Sequence, residues 1–429
     1  MPSKLLVAAA DAAYEVRHAG RFGIDVDESG WRVSGSDVMA RVRALRDDFV
    51  AGVLASIDRM PREDRIAGAA RFTGPTTLVV DGAITIEAKA VVIATGSHPW
   101  MPPNLEHLRD DVITSDDVFE LADIPKSIGI FGTGIIGLEL GQALHRLGTR
   151  VVFFNPQRNL GFLQDPDTSK ALRSELDAQF PLRLGTQTEV RRVEEGFEVA
   201  WTDNGEPKSD RFERIMAAAG RRPNVSQIGL DASGLHVNEQ GIPLHDRHTM
   251  RCSDSAVFIA GDVCGHSPVL HEASDEGSIA GQNAARYPDV QPASRRTPLG
   301  IAFTHPQMAF VGTRYQELDL ASIVVGEVSY ENQGRARVIG QNRGLARLYA
   351  EKSTCKLLGA ELLAPHAEHL AHLLAWSVAQ ELTVQQMLRM PFYHPVLEEG
   401  LRTALRSCAR KLAVEGQCPP EDLESAVGH

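Results

Sequence analysis

The stretch Ser127-Ile128-Gly129-Ile130-Phe131-Gly132-Thr133-Gly134-Ile135-Ile136-Gly137 constrains the fold more than any other part of the chain. A short apolar run ends in a Gly-x-Gly-x-x-Gly turn, and a helical apolar period over 135–147 then stops at Gly148. A second apolar run over 150–154 follows, which is the order strand, turn, helix, strand. Gly132 permits the tight turn, Gly134 lets a pyrophosphate approach the backbone, and Gly137 lets helix and strand pack closely. The helix N-terminus offers its N–H groups to the anion. A lone Gly-x-Gly-x-x-Gly is a weak signal, but one set in a strand, helix and second strand points to a bound dinucleotide. The acidic residue that would hold a ribose 2′-hydroxyl at the end of the second strand is missing. Asn155 stands there, with Arg158 close behind, so the nicotinamide is written NAD(P) and no finer.

Two further glycine punctuations close buried apolar strands: Val91-Val92-Ile93-Ala94-Thr95-Gly96 and Phe258-Ile259-Ala260-Gly261-Asp262. Ligands of open α/β sheets lie at such strand ends. A Gly-Asp step there is also a common turn cap, the alternative role for Asp262. Around these segments the periodicity predicts helices over 4–19 and 36–60, the second ended by Pro61, and short strands up to 94. A polar alternating segment over 188–215 predicts more strands, and Gly220-Arg221-Arg222-Pro223-Asn224 closes the dinucleotide unit. A helix is expected over 272–285, and a proline-rich break over 288–298 opens a last domain. That domain carries strands near Ala309, over 322–328 and over 346–349, and helices over 369–380 and 384–388. A final helix follows Pro395.

A length of 429 residues allows about three domains at ~150 residues each. The net charge of −12 and the lack of a Lys/Arg stripe argue against a nucleic-acid partner. No apolar run approaches the ~20 residues that span a bilayer, and Asp11 and Glu15 interrupt any leader core, so the expectation is a cytoplasmic protein with no membrane partner. The five cysteines, Cys252, Cys264, Cys355, Cys408 and Cys418, form neither CxxC nor CxxxxC, and no Cys/His spacing is of zinc type. They are expected to be thiols of no redox importance.

The three glycine punctuations together, with Pro2-Ser3-Lys4 at the start and His394-Pro395 followed by Glu399 near the end, resemble the flavoprotein pyridine nucleotide-disulfide oxidoreductases of class I. The resemblance covers essentially the whole chain. It implies an α/β fold with two dinucleotide-binding, Rossmann-like domains and a C-terminal α+β dimerisation domain. The expected segments are 1–124, a partial FAD-binding domain; 125–248, NAD(P)-binding; 249–297, the central FAD segment; and 298–429, the interface domain. In the family, Pro-Ser-Lys follows the second cysteine of a redox CxxxxC pair. The resemblance therefore implies that this pair and the first flavin-binding βαβ unit lie ahead of Met1, and that the chain as given is inactive.

The same resemblance implies FAD and NAD(P) as cofactors and a homodimer as the assembly. Cofactor contacts fall on Lys4, Thr95, Gly96, Gly132, Gly134, Gly137, Glu139, Asn155, Gly220, Gly261 and Asp262. Lys4 and Glu139 would pair beside the flavin and nicotinamide, and Asp262 would hold the ribityl chain. His394 and Glu399 would form the catalytic acid–base pair, with Phe392 standing where the family has a first histidine. A residue before proline avoids helical dihedrals and Pro suits a first helical turn, so His394 is expected at a helix entrance with Glu399 reaching back to it. A carboxylate partner orients the ring and fixes its tautomer for taking a thiol proton. The implied activity is that of a dihydrolipoamide dehydrogenase, passing electrons between NAD(P)H, FAD and a small-molecule or lipoyl-domain dithiol. The alternatives are a soluble transhydrogenase, a mercuric-reductase-like member, or a non-catalytic NAD(P)-binding dimer. No metal is expected.

Overall fold

The computed structural model describes residues 2–27, 30–266 and 268–414. Met1 and Cys418, both used in reading the sequence, lie outside the described residues. The chain forms two compact units, one of residues up to Arg46 with Pro102–Ala218 and residues from Arg296 onward, the other of Asp47–Met101 with Ala219–Arg295.

The first unit contains a five-stranded parallel sheet in the order Ile113–Thr114, Arg214–Ala217, Ser127–Phe131, Arg150–Asn155, Leu182–Leu184. A parallel strand is covered on both faces, which accounts for the uninterrupted apolar runs of its two middle strands. Ile128, Ile130, Val151, Val152, Phe153 and Phe154 are all buried. Helix Ile135–Leu147 crosses from Ser127–Phe131 to Arg150–Asn155, and helix Pro2–Arg17 packs on it through Leu6, Ala10 and Ala13. The predicted run over 188–215 is an antiparallel three-stranded sheet, Thr188–Val193, Gly196–Asp203 and Glu206–Phe212, followed by Arg214–Ala217.

The C-terminal part of this unit is an antiparallel sheet in the order Leu299–Ala302, Gln307–Gly312, Leu357–Ala364, Leu345–Glu351, Ile323–Ser329. Its central strand, Leu357–Ala364, went unnoticed in the sequence. It is buried along nearly its whole length, so it lacks the polar alternation that marks a half-exposed strand. Helix Glu399–Val414 lays Leu401, Ala404, Leu405, Cys408 and Leu412 into the core beside that sheet, the spacing of one apolar face. The buried Glu361 on the central strand accepts from the N–H groups of Gln164 (2.9 Å) and Asp165 (3.0 Å) and from Thr168 Oγ1 (2.8 Å). It thereby fixes the chain leading into helix Pro166–Asp177, whose N-cap is Asp165, and places a carboxylate near the favourable end of the helix dipole.

The second unit holds the parallel pair Val91–Ile93 and Val257–Ile259, the antiparallel meander Ala70–Phe72, Thr77–Val80, Ile84–Glu87, and helix Leu270–Arg286. Arg221–Pro223 pairs antiparallel with Ser97–Pro99, so residues 220–224 pair here rather than with the parallel sheet. Cys252 and Cys264 are buried in this unit's core, and burial pushes the Cys252 thiol up to about 12. Among the described residues, no helix is long and apolar enough to cross a membrane.

Candidate active site

The dinucleotide turn is held from below. Gly132 N–H donates to Phe154 O (2.9 Å) on the adjoining strand, and Gly132 takes a φ of 121°, where a side chain would be strained. A Cβ on Gly137 would stand 2.4 Å from Gly132 O, so helix and turn touch only because residue 137 has none. Around Gly134 nothing lies within 4 Å of where a Cβ would be, which leaves its backbone open to a ligand. Leu138 N–H, bonded to Gly134 O at 3.0 Å, opens the intrahelical ladder, so the N–H groups before it point toward the turn. These features fit a pyrophosphate.

At the end of the second strand, Asn155 Nδ2 donates to Thr133 Oγ1 (2.6 Å) and Asn155 Oδ1 accepts from Gln157 N–H (3.0 Å). Asn155 therefore braces the glycine turn. Arg158 lies over Gly185, whose Cβ would come within 2.9 Å of the Arg158 Nε, beside the ends of both neighbouring strands.

One turn into the same helix, the buried Glu139 joins three elements. Its Oε2 holds Lys4 Nζ at 2.6 Å, and its Oε1 accepts from Phe303 N–H at 2.7 Å. The Lys4 ammonium also stands 4.5 Å from the centroid of the Phe303 ring. Gln142 repeats the device, with Oε1 accepting from His305 N–H (2.7 Å) and Nε2 donating to His305 O (3.0 Å). A cavity of about 550 Å³ opens here, lined by Lys4, Asp11, Arg146, Phe303, His305 and His366 among others. Burial, reinforced by Arg146, drives the His305 imidazole down to about 3, so it is neutral. Burial also raises the carboxyl of Asp11, against the pull of Arg146 at 2.5 Å. Phe303 and His305 were not singled out in the sequence, where a Phe-Thr-His-Pro run carries no pattern of its own.

In the second unit, Thr95, Gly96, Gly261 and Asp262 follow the ends of the parallel pair, whereas Gly220 lies at the far end of the neighbouring antiparallel pair, opposite Trp100. Asp262 Oδ2 accepts from Ser97 Oγ (2.9 Å), and Arg221 donates to both Ser97 Oγ (2.9 Å) and Ser97 O (2.8 Å). Gly261, with φ 81°, is the N-cap of the short turn Asp262–Cys264. Asn224 ties this corner together. Its O accepts from Thr95 Oγ1 (2.7 Å), its Nδ2 donates to Thr95 O (2.8 Å), and its N–H donates to Gly96 O (2.9 Å). Gly220 O accepts from Trp100 N–H (2.9 Å). Gly261 N–H donates to the buried Glu276 (2.9 Å), which Arg295 neutralises at 3.1 Å. Ser97, Asn224, Glu276 and Arg295 are additions the sequence reading missed.

His394 and Glu399 are brought together. Nδ1 of the imidazole lies 3.1 Å from each carboxylate oxygen, and Glu399 Oε2 also accepts from Val396 N–H (3.2 Å). Burial works against a charged Glu399, but the bonds from His394 and Val396 outweigh it and hold the carboxyl below its ordinary value. The helix does not begin at Pro395 as expected. It begins at Glu399, because that carboxylate gathers the preceding turn onto the helix N-terminus. His394 is 79% exposed, so with Nδ1 engaged its Nε2 faces outward. Beside it an apolar groove of about 520 Å³ is lined by Leu373, Trp376, Met390, Phe392, Tyr393 and Leu401 among others.

Together these parts have the form of a dinucleotide-binding α/β protein with a His–Glu pair in its C-terminal domain. The family model for the pyridine nucleotide-disulphide oxidoreductases matches residues 1–277, and that for their dimerisation domain matches residues 299–405. The chain belongs to this family of enzymes, whose members depend on FAD and NAD(P). It is 29% identical over 410 residues to the dihydrolipoyl dehydrogenase of Chlamydia trachomatis, covering 93% of this chain and 85% of that one. Against the dihydrolipoyl dehydrogenase of Thermus scotoductus it is 29% identical over 417 residues, 94% and 87% of the two chains. Its fold superposes on LpdA of Mycobacterium tuberculosis with a TM-score of 0.80 at 24% identity, covering 94% and 89%. The HOCl-induced flavoprotein disulfide reductase RclA of Escherichia coli gives 0.79 at 21% identity, covering 94% and 89%.

Proposed function

We propose that the chain serves a dihydrolipoyl dehydrogenase-type reaction, with electrons passing between NAD(P)H, FAD and a dithiol or disulfide. The observation that carries this reading is the His394–Glu399 pair, with Nδ1 3.1 Å from both carboxylate oxygens. A ring fixed through Nδ1 presents Nε2 as the acceptor for a thiol proton. Gly132, Gly134 and Gly137 hold the nicotinamide pyrophosphate, and Asp262 with Ser97 offers polar anchors for the flavin's ribityl hydroxyls. Bound flavin supplies reversible two-electron chemistry between nicotinamide and thiol. Lys4, paired with Glu139, places a fixed positive charge where reduction builds negative charge. Asn155 sets no carboxylate against a 2′-phosphate, so the nicotinamide in this reading is NAD(P), with NADP(H) admitted beside NAD(H).

The apolar groove beside His394, with Trp376 65% and Tyr393 79% exposed, suits a second copy of the chain, in line with the dimerisation-domain match. Such a dimer presents His394 to the flavin side of its partner.

A second reading is a dimeric NAD(P)-binding protein without disulfide chemistry. It is favoured by one observation: the 429 residues contain no CxxxxC pair. Turnover measurements on an extended chain separate the two. NAD(P)H binding through the glycine turn is expected under both. Grafting the cysteine-bearing segment of a dihydrolipoyl dehydrogenase ahead of Pro2 restores dihydrolipoamide-dependent NAD+ reduction under the first reading alone. A folded, flavin-loaded graft with no such turnover would leave only the second.

A further inference from the structure

Helix Ala367–Ala379 begins with the run His366-Ala367-Glu368-His369. His366 is the N-cap, with a left-handed backbone at φ 49°, and its side chain stands beside that of His369 in the first turn. Their rings are nearly parallel, 14° between planes and 6.2 Å between centroids. Glu368 leans into the same space, with Oε1 3.5 Å from His369 Nε2. One ligand atom from each of the three lies within 4.8 Å of the others.

We propose that His366, Glu368 and His369 form a binding site for a divalent transition metal of the zinc class. Two imidazole nitrogens and one carboxylate oxygen are the donor set that borderline cations prefer, whereas Mg²⁺ and Ca²⁺ seek oxygen-only shells. In a tetrahedral site with metal–ligand bonds of ~2.0–2.1 Å, neighbouring ligand atoms stand about 3.3 Å apart. The Glu368–His369 edge, at 3.5 Å, is already near that length, and small side-chain rotations bring His366 in. The backbone beneath is rigid. Ala367, Leu370 and Ala371 are fully or almost fully buried, and Glu368 N–H is fixed by Gln307 Oε1 at 2.9 Å.

A second observation also favours a cation here. Among the described residues the only ion-pair partner of Glu368 is His369, whereas Asp11 and Glu15 nearby are paired with Arg146 and Arg21. His366 and Glu368 also line the 550 Å³ cavity shared with Lys4 and Asp11. The remaining coordination positions therefore face a cavity, where water or a ligand oxygen completes the shell.

The test is a competition titration of Zn(II) against a chromophoric zinc indicator on the full chain. The fifteen histidines of the chain provide weak background binding, so the comparison is with variants. His366→Asn keeps a residue type that tolerates the left-handed backbone found there, at φ 49°. His369→Gln keeps bulk and polarity. Each single variant is expected to weaken one zinc equivalent by about tenfold or more, and the double variant to lose it. NAD(P)H binding should stay intact in all of them as the check on folding. His372→Gln, one turn further along the helix, should bind as the parent does, and excess Mg²⁺ should not compete. Equal zinc stoichiometry and affinity in the parent and the folded double variant would overturn the proposal. So would a parent chain that binds no more zinc than this background.

Discussion

Glu139 divides its carboxylate between Lys4 Nζ at 2.6 Å and the Phe303 backbone N–H at 2.7 Å, joining the first helix, the dinucleotide helix and the C-terminal domain. With Glu139 3% exposed and Lys4 38%, the arrangement is asymmetric. Removing the acid strands a buried N–H and a tethered cation, while removing the lysine leaves a carboxylate that still has one donor. Glu139→Ala is therefore expected to cost about 1–3 kcal/mol, the penalty of an unsatisfied buried group. Lys4→Met should cost less, since half-exposed pairs contribute little. Urea denaturation of the two variants checks the order, and a larger loss for Lys4→Met would contradict it.

The glycine turn separates two effects that usually travel together. A Cβ at residue 137 would meet Gly132 O at 2.4 Å, but at residue 134 it would meet nothing within 4 Å. Gly137→Ala should lower both stability and NAD(P)H affinity. Gly134→Ala should hold stability within about 0.5 kcal/mol, as for substitutions with room around them. It should nonetheless weaken NAD(P)H binding, because the methyl occupies the approach of the pyrophosphate. Nicotinamide fluorescence titration beside thermal melts reads both quantities, and an unchanged affinity in Gly134→Ala would remove that turn from the binding site.

His305 makes stability depend on pH in a stated direction. Its folded value is about 3, set by burial and then by Arg146, with Arg343, Arg21 and His366 adding to it. In the unfolded chain it titrates near ~6.5. Between these values the unfolded state binds the extra proton, so stability is complete above ~6.5 and falls as pH drops toward 3, by up to about 1.4 kcal/mol per pH unit. The raised Asp11 carboxyl works the other way in the acid range and tempers the slope. His305→Asn should flatten the dependence between pH 6.5 and 4, as measured by denaturant midpoints across that range. An unaltered slope would show that His305 is hydrated in solution.

The apolar groove beside His394 predicts self-association. Trp376→Asp with Tyr393→Asp places charges on two side chains that are 65% and 79% exposed, so the folded chain has little to lose. Sedimentation equilibrium should show a dimer in the parent and a monomer in the double variant. A parent that stays monomeric at high micromolar concentration would end the dimer reading.

How much of this was legible in the sequence follows from where the information lies along the chain. The turn at Gly132–Gly137 is local, with its strand, helix and second strand adjacent, so residue spacing alone located it. The Lys4–Glu139 and His394–Glu399 pairings came through resemblance, since no local rule joins residue 4 to residue 139. The Thr95–Asn224 and Ser97–Asp262 bonds join residues more than a hundred positions apart and carry no periodicity. The central strand Leu357–Ala364 escaped because complete burial erases alternation. His394 was placed at a helix entrance by the habits of proline, yet the helix starts only where Glu399 can use both His394 and Val396 N–H.

The acid–base role proposed for His394 gives the sharpest test, made in the graft that carries a cysteine pair ahead of Pro2. An imidazole that takes the thiol proton matters only to the thiol half of the reaction. His394→Ala should slow dihydrolipoamide oxidation by about 10²–10⁴-fold, the range of general acid–base catalysis. Flavin reduction by NAD(P)H should be nearly unchanged, since hydride transfer needs no thiol proton acceptor. Glu399→Gln should slow the thiol half less, because the amide still reaches Nδ1 and Val396 but no longer carries charge. If His394 merely steadied the turn before helix Glu399–Val414, both halves would fall together with stability. Stopped-flow measurement of the two halves, with a melt of each variant alongside, distinguishes these outcomes, and equal losses in both halves would end the catalytic assignment.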